Sequence, residues 1–262
     1  MGVDAVVIVT RHNTHAELVE TALKSGKHVF VEKPLAIDFD GLSKINDTYK
    51  ALHVNEAVPQ LMVGFNRRFS PLVKKTKDLI QTVNEPKSFI MTMNAGAISP
   101  DHWTQDYVVG GGRIIGEACH HIDLMRYLAG SDIVSVQARR MGNNANIAVT
   151  EDKASITLGF ADGSFGTIFY LANGSAKYPK ERVEIFTSGR VLQIENFRCL
   201  TGFGWANFKK MRLWRQDKGQ IECVKTFLSG IKSGEQAIPI NEIFEVARVS
   251  IEISQILRNQ SQ

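Results

Sequence analysis

Between Asp4 and Gly64, short apolar runs alternate with helix-length amphipathic segments, and this alternation restricts the fold more than any other feature. Asp4-Ala-Val-Val-Ile-Val9 is apolar without interruption after its first residue, the pattern of a strand buried on both faces. A helix should follow, because Thr14 and Glu17 form a capping-box pair, Leu18, Ala22 and Leu23 make an apolar stripe, and Gly26 supplies a stop. His28–Val31 reads as the next strand, Asp38 or Asp40 as the cap of a second helix reaching about Leu52, and Gln60–Gly64 as a third strand. Strands that alternate with helices imply right-handed crossovers and a parallel sheet.

Beyond this region the texture changes. Ser70-Pro71 opens a helix, with serine as cap and proline at the first position. Phe89–Ala95, Val134–Arg140, Ala154–Phe160 and Phe165–Leu171 are strand-like, and Asp162-Gly163 is a hairpin signal between the last two. Arg182–Phe186 and Arg190–Ile194 form a second hairpin, turning at Ser188-Gly189, and Met211–Arg215 offers a further strand. Helices are expected at Glu117–Leu128, Gly219–Lys232 and Asn241–Leu257. The reading is a mixed fold of class α/β plus α+β. Residues 1–66 form a parallel unit, with its closing helix drawn from 241–258, and residues 67–262 form an antiparallel sheet with helices on one face.

Composition narrows the function classes. With 262 residues, 44% hydrophobic and 22% charged, the chain can bury one large core or two modest ones. The net charge of +4 is spread out, and no zinc-finger, RNP or basic-helix pattern suggests a nucleic-acid partner. Cys119, Cys199 and Cys223 are odd in number and match no metal or disulfide spacing, as in a reduced cytoplasmic protein. No run reaches membrane-spanning length and no signal peptide is evident.

An open parallel sheet binds ligands beyond the carboxyl ends of its strands. Thr10-Arg-His-Asn-Thr-His15 and Glu32-Lys-Pro34 follow the first two strands and so share one edge. Lys33, followed by a stiff proline, is either a fixed ammonium that can stabilise charge on a substrate oxygen or a solvated loop lysine. Glu117, His120, His121 and Asp123 recur at three- and four-residue spacings on one expected helix. A carboxylate beside a histidine suits a general base acting on an alcohol, and a buried histidine with structural hydrogen bonds is the alternative. No ligand set for a metal is visible. Arg67 and Arg68 either contact an anion or pair with carboxylates; Trp103 either stacks on a sugar or fills core; Lys180 and Arg182 either bind an anion or decorate a hairpin. Gly110-Gly-Gly112 is far from the parallel strands and reads as a tight turn or a close backbone approach, not a phosphate loop.

Asp4–Thr10, Asn13, His15, Ala22-Leu23, Gly26–Val29 and Glu32-Lys33-Pro34, with Gly64–Phe69, the glycine run, His120 and Asp123, resemble the Gfo/Idh/MocA oxidoreductases over Val3–Leu257. The resemblance implies a Rossmann-like first unit, NAD or NADP as cofactor, and hydride transfer at a secondary alcohol of a sugar, cyclitol or nucleotide sugar. It assigns Lys33 to the reacting hydroxyl and the nicotinamide, and His120 to the proton. With it, the candidate cofactor residues are Thr10, Asn13, His15, Glu32, Lys33, Pro34 and Asn66, and the candidate substrate residues are Arg67, Trp103, His120, Asp123 and Lys180. The family pattern Asp-x-x-x-His-x-x-Asp is met at His120 and Asp123 only; Gly116 stands at the first place, and Glu117 beside it is the expected replacement.

The family's Gly-x-Gly-x-x-Gly turn does not occur after a strand, so a truncated first unit and weak cofactor binding are expected. Gly116–Asp123, Lys180-Glu-Arg182 and Gln216–Gly219 are similar to the members that follow a zinc-type alcohol dehydrogenase module. A homo-oligomer through the sheet of the second unit is the expected assembly. Two other readings remain: a non-catalytic binding or oligomerisation module, and a fragment of a two-module dehydrogenase.

Overall fold

The computed structural model describes residues 2–52 and 58–260. These residues divide into two compact units, each discontinuous in sequence. The first takes Met1–Phe65, Asp101–Asp123 and Ile221–Glu252, and the second takes Asn66–Pro100, Leu124–Gln220 and Ile253–Gln262.

In the first unit, strands β1 (Ala5–Ile8), β2 (His28–Val31) and β3 (Leu61–Val63) form a parallel sheet in the order β1-β2-β3. Val29, Phe30 and Val31 of β2 and all of β3 are buried, each large side chain contributing about 2 kcal/mol of apolar transfer. The expectation that the first strand is buried on both faces is corrected. Among the described residues β1 pairs only with β2 at the sheet edge, Ile8 alone of its side chains is buried, and Val7 is 62% exposed. An apolar run reports β propensity, but burial depends on how many neighbours the strand acquires.

Helix α1 (His15–Lys24) stops as its glycine directs. Gly26 has φ +67°, and Lys27 N–H donates to Ala22 O in a Schellman turn. Its start differs from the expected capping box. A 3-10 turn over His12–Thr14 leads into the helix, Thr14 is itself helical, and its hydroxyl donates to Arg11 O. Helix α2 (Phe39–Leu52) is capped by Asp38, whose Oδ1 accepts from Gly41 N–H at 2.7 Å. Helices α5 (Gln220–Ser233) and α6 (Ile240–Asn259) bring Phe227 edge-on to Phe30, while Gln60 donates to Glu235 O and accepts from Ala237 N–H.

The second unit is built on eight strands: β4 (Ser88–Asn94), β5 (Ile133–Arg140), β6 (Lys153–Phe160), β7 (Phe165–Leu171), β8 (Glu181–Thr187), β9 (Arg190–Glu195), β10 (Cys199–Phe203) and β11 (Lys210–Arg212). They lie in the order β11-β10-β9-β8-β4-β7-β6-β5. The expected hairpins β6–β7 and β8–β9 are present, and Ser188 and Gly189 both have positive φ at the second turn. The sheet is mixed, with one parallel pair, β4 with β7. Chain direction explains it: β5, β6 and β7 form a meander that returns β7 parallel to β5, and the long connection before β5 lets β4 run the same way. Strand β10 was not anticipated, since Cys-Leu-Thr-Gly-Phe carries little alternation.

Alternate residues of β4, β6 and β7 turn inward, including Phe89, Met91, Ile156, Leu158, Ile168 and Tyr170. Helix α3 (Pro71–Ile80) packs against β9 and β10, and its Lys77 Nζ donates to Tyr127 O near the end of helix α4 (Cys119–Ala129).

Candidate functional site

The candidate site grows from the carboxyl edge of the three-stranded sheet. Main-chain bonds extend the strands, Glu32 N–H to Ile8 O and Gly64 N–H to Val31 O, and so set the loops that follow side by side. His15, wholly buried, ties two of them together: its Nδ1 is 2.7 Å from Pro34 O and its Nε2 is 3.2 Å from Thr10 O. Its ring thus braces the loops carrying Thr10 and Pro34. Thr10 Oγ1 meets Thr14 Oγ1 at 2.6 Å, and exposed Asn13 donates its backbone N–H to Val109 O. Half-buried Glu32 lies against Gly64, where a Cβ would come within 3.1 Å of the carboxylate. The Lys33–Pro34 peptide bond is cis.

The segment Asp101–Asp123 of the same unit folds onto this edge. Gly110 must be glycine, because a Cβ there would lie 2.4 Å from Trp103 O. That close backbone approach is the use made of the glycine run, and Gly111 and Gly112 add positive φ. Lys33 Nζ donates to Gly116 O at 2.7 Å, a bond that orients the ammonium. The expected helix through Glu117 is present but carries a π turn: Ile114–Ala118 is closed by Cys119 N–H to Ile114 O, and the helix continues with α-helical spacing from Cys119. A π turn changes the angular step between residues, so Gly116, Glu117 and His120 do not follow one α-helical stripe. Glu117 Oε2 accepts from Arg113 Nη2 at 3.2 Å, and Arg113 is nearly wholly buried. His120 is 8% exposed, with its ring edge-on to Phe65 at 6.4 Å between centroids, and Asp123 is buried.

One functional candidate escaped the sequence reading. His12 is 7% exposed, its Nδ1 lies 2.7 Å from Gly110 O, and its ring meets Trp103 edge-on at 4.7 Å. Burial pushes its pKa from 6.5 down to about 4, opposed by the Gly110 bond and assisted by the positive charge of Lys33. The local signal, a third polar residue in the Thr10–His15 run, was present. Its partner lies 98 residues away.

The remaining residues named from sequence belong to the second unit. Asn66 Nδ2 donates to Lys218 O at 2.8 Å. Arg67 realises the alternative of pairing with a carboxylate: Nε and Nη2 bond both oxygens of buried Glu181, which also accepts from Lys218. Arg68 stacks its guanidinium on Tyr127, and Lys180 is exposed, its carbonyl accepting from Asn94 N–H. Among the described residues, no cluster of three or more His, Cys, Asp or Glu side chains could hold a metal ion, and no helix is long and apolar enough to cross a membrane.

Comparison with known proteins agrees with this architecture. Residues 1–60 match the oxidoreductase family with an NAD-binding Rossmann fold, GFO_IDH_MocA, and residues 77–218 match the GFO/IDH/MocA C-terminal domain. Myo-inositol 2-dehydrogenase of Thermotoga maritima is 31% identical over 253 residues, covering 89% of this chain and 71% of its own. Inositol 2-dehydrogenase of Rhizobium meliloti is 28% identical over 250 residues, covering 90% and 73%. Among solved structures, levoglucosan dehydrogenase in complex with NADH and levoglucosan shares the fold, with a TM-score of 0.82 at 22% identity over 99% of this chain and 79% of that one.

Proposed function

The chain belongs to the Gfo/Idh/MocA oxidoreductases with an NAD-binding Rossmann unit, and from that premise we propose that it moves a hydride between NAD and a secondary alcohol of a sugar, cyclitol or nucleotide sugar. The observation that carries this reading is the Lys33 ammonium, held by Gly116 O at the carboxyl edge of the parallel sheet. The donor set there fits the nicotinamide end of the cofactor: exposed Thr10 and Asn13, the Lys33 ammonium, and Gly64 leaving space beside Glu32. Bound NAD supplies the hydride acceptor.

Lys33 polarises the reacting oxygen, since a cation of fixed direction stabilises alkoxide character as the C–H bond breaks. His120, buried within the same unit, takes the hydroxyl proton. Glu117, held by Arg113, is the carboxylate assigned in this reading to support His120 as base. Support for the substrate class comes from the relatives, which are named for inositol and levoglucosan.

The test is a panel of cyclitols and aldoses with NAD, followed by absorbance of the reduced nicotinamide. Lys33→Met should lower kcat by about 10²–10³-fold while shifting the thermal midpoint by only a few degrees. Turnover within about threefold of the parent would remove Lys33 from the chemistry. Glu117→Gln should move the histidine-dependent limb of the pH–rate profile to lower pH.

Two narrower readings stand beside this. Association through the second unit's sheet is supported by Ile90, Phe165, Phe169, Phe186 and Phe203, all exposed in part, and light scattering tests it. Work beside a zinc-type alcohol dehydrogenase module is supported by the Gly116–Asp123, Lys180–Arg182 and Gln216–Gly219 segments, and the gene around the coding segment tests it.

A further inference from the structure

The reading above leaves the buried imidazole of His12 unused. Its Nδ1 faces Gly110 O at 2.7 Å, and a carbonyl only accepts, so Nδ1 carries the proton when the ring is neutral. Nε2 then carries the lone pair. Among the described residues the ring's hydrogen bonding ends at Gly110, and Nε2 is not one of the side-chain atoms sealed from solvent without a partner. It is therefore an acceptor that no protein donor satisfies among the described residues.

Two contacts hold the ring in that orientation. Trp103 meets it edge-on, and Gly116 packs so closely that a Cβ would lie 3.0 Å from Cε1. Gly116 is also the residue whose carbonyl receives Lys33. His12 and Lys33 thus both meet Gly116, one offering a lone pair and the other N–H donors. Burial, aided by the Lys33 charge, keeps the ring neutral, with a pKa of about 4.

We propose that His12 is a further binding residue of this site, and that its Nε2 accepts a hydrogen bond from one hydroxyl of a vicinal diol whose other oxygen is contacted by Lys33. The inference rests on the reading that Lys33 faces bound ligand. A diol suits the pair because one oxygen can accept from the ammonium while the adjacent O–H donates to the imidazole. Such a diol exists on a polyol substrate and on the ribose of the cofactor, and the two sources separate by experiment.

His12→Asn places an amide N–H where Nδ1 donates to Gly110 and removes the acceptor at Nε2. A purely structural role predicts that this variant behaves as the parent. The proposal predicts one of two changes: about tenfold weaker NADH binding in a fluorescence titration without polyol, or unchanged NADH binding with a KM for myo-inositol raised about tenfold and kcat little altered. The first assigns the diol to the ribose, the second to the substrate. NADH affinity and KM both within twofold of the parent overturn it.

A second measurement does not depend on the variant's folding. In ¹⁵N imidazole spectra of the parent, the His12 signals should show a protonated Nδ1 and a bare Nε2 at neutral pH. The Nε2 signal should shift on addition of NADH or of myo-inositol with NAD. A signal unmoved by both overturns the proposal. Normal turnover in Lys33→Met would instead defeat the reading on which it rests, while leaving the His12 shift as an independent measurement.

Discussion

Acidification gives the sharpest physical test of the site, because His12 connects its burial to the stability of the first unit. The folded ring titrates at about 4, whereas the unfolded residue titrates near its ordinary 6.5. Between those values the unfolded chain binds a proton that the folded chain does not, so stability falls as pH falls. The stability attached to the neutral ring is therefore intact above about pH 6.5 and is withdrawn progressively down to about pH 4. At about 1.4 kcal/mol per unit, the loss is about 2 kcal/mol at pH 5 and about 3 kcal/mol at pH 4. His12 is only 7% exposed, so solvent screening removes little of this.

The comparison is between parent and His12→Asn, since both share every other titrating group. Urea unfolding at pH 7.5, 6, 5 and 4.5 should give a stability difference that moves in favour of the variant by about 2 kcal/mol between the first and third conditions. Because the asparagine amide can donate to Gly110 O, the two proteins should be close at pH 7.5. Parallel pH dependences, with a constant gap, would show that the ring is not held neutral by burial and would refute the reasoning.

Three further outcomes follow from other contacts. Glu181→Gln leaves the Arg67 and Lys218 cations beside a neutral amide in a buried position, so unfolding free energy should drop by about 3–5 kcal/mol; a loss below about 1 kcal/mol in urea melts would show that the cluster is well solvated. Gly110→Ala should displace Trp103 and Thr104, because its Cβ would lie 2.4 Å and 2.5 Å from their backbone atoms. The cost should be about 1–3 kcal/mol, and the His12 titration should move up toward 6.5 by NMR; an unmoved pKa with normal stability would contradict the packing. Tyr49, 2% exposed, has its pKa pushed by burial from 10 up to about 12. A raised folded value means stability is intact below pH 10 and lost as pH rises toward 12, by about 2–3 kcal/mol. Tyr49→Phe should flatten that alkaline decline, and an unaltered decline in urea melts would dismiss the assignment.

The sequence alone determined what depends on neighbours a few residues apart. The hairpin signals Asp162-Gly163 and Ser188-Gly189, the Gly26 stop, the Asp38 cap and Pro71 at the first position of its helix all act through local backbone preference, and each matches an observed element boundary, whereas Ser70, the expected cap, makes no capping bond and donates its hydroxyl to Asp217 O. Glu32-Lys33-Pro34 was legible for the same reason, since a strand end is set by the strand itself. The tertiary structure decided everything whose partner is distant. Among the described residues β1 is an edge strand because only β2 pairs with it, and β4 runs parallel to β7 because the chain returns through a meander. Lys33 gained its direction from Gly116, 83 residues on, and Arg67 its carboxylate from Glu181, 114 residues on. His12 shows the difference most plainly. A histidine in a polar run reads as an exposed group titrating near neutrality, and only the arrival of Gly110, Trp103 and Gly116 around it makes a neutral, buried acceptor. Desolvation depends on every atom that approaches a group, and sequence separation does not record those approaches.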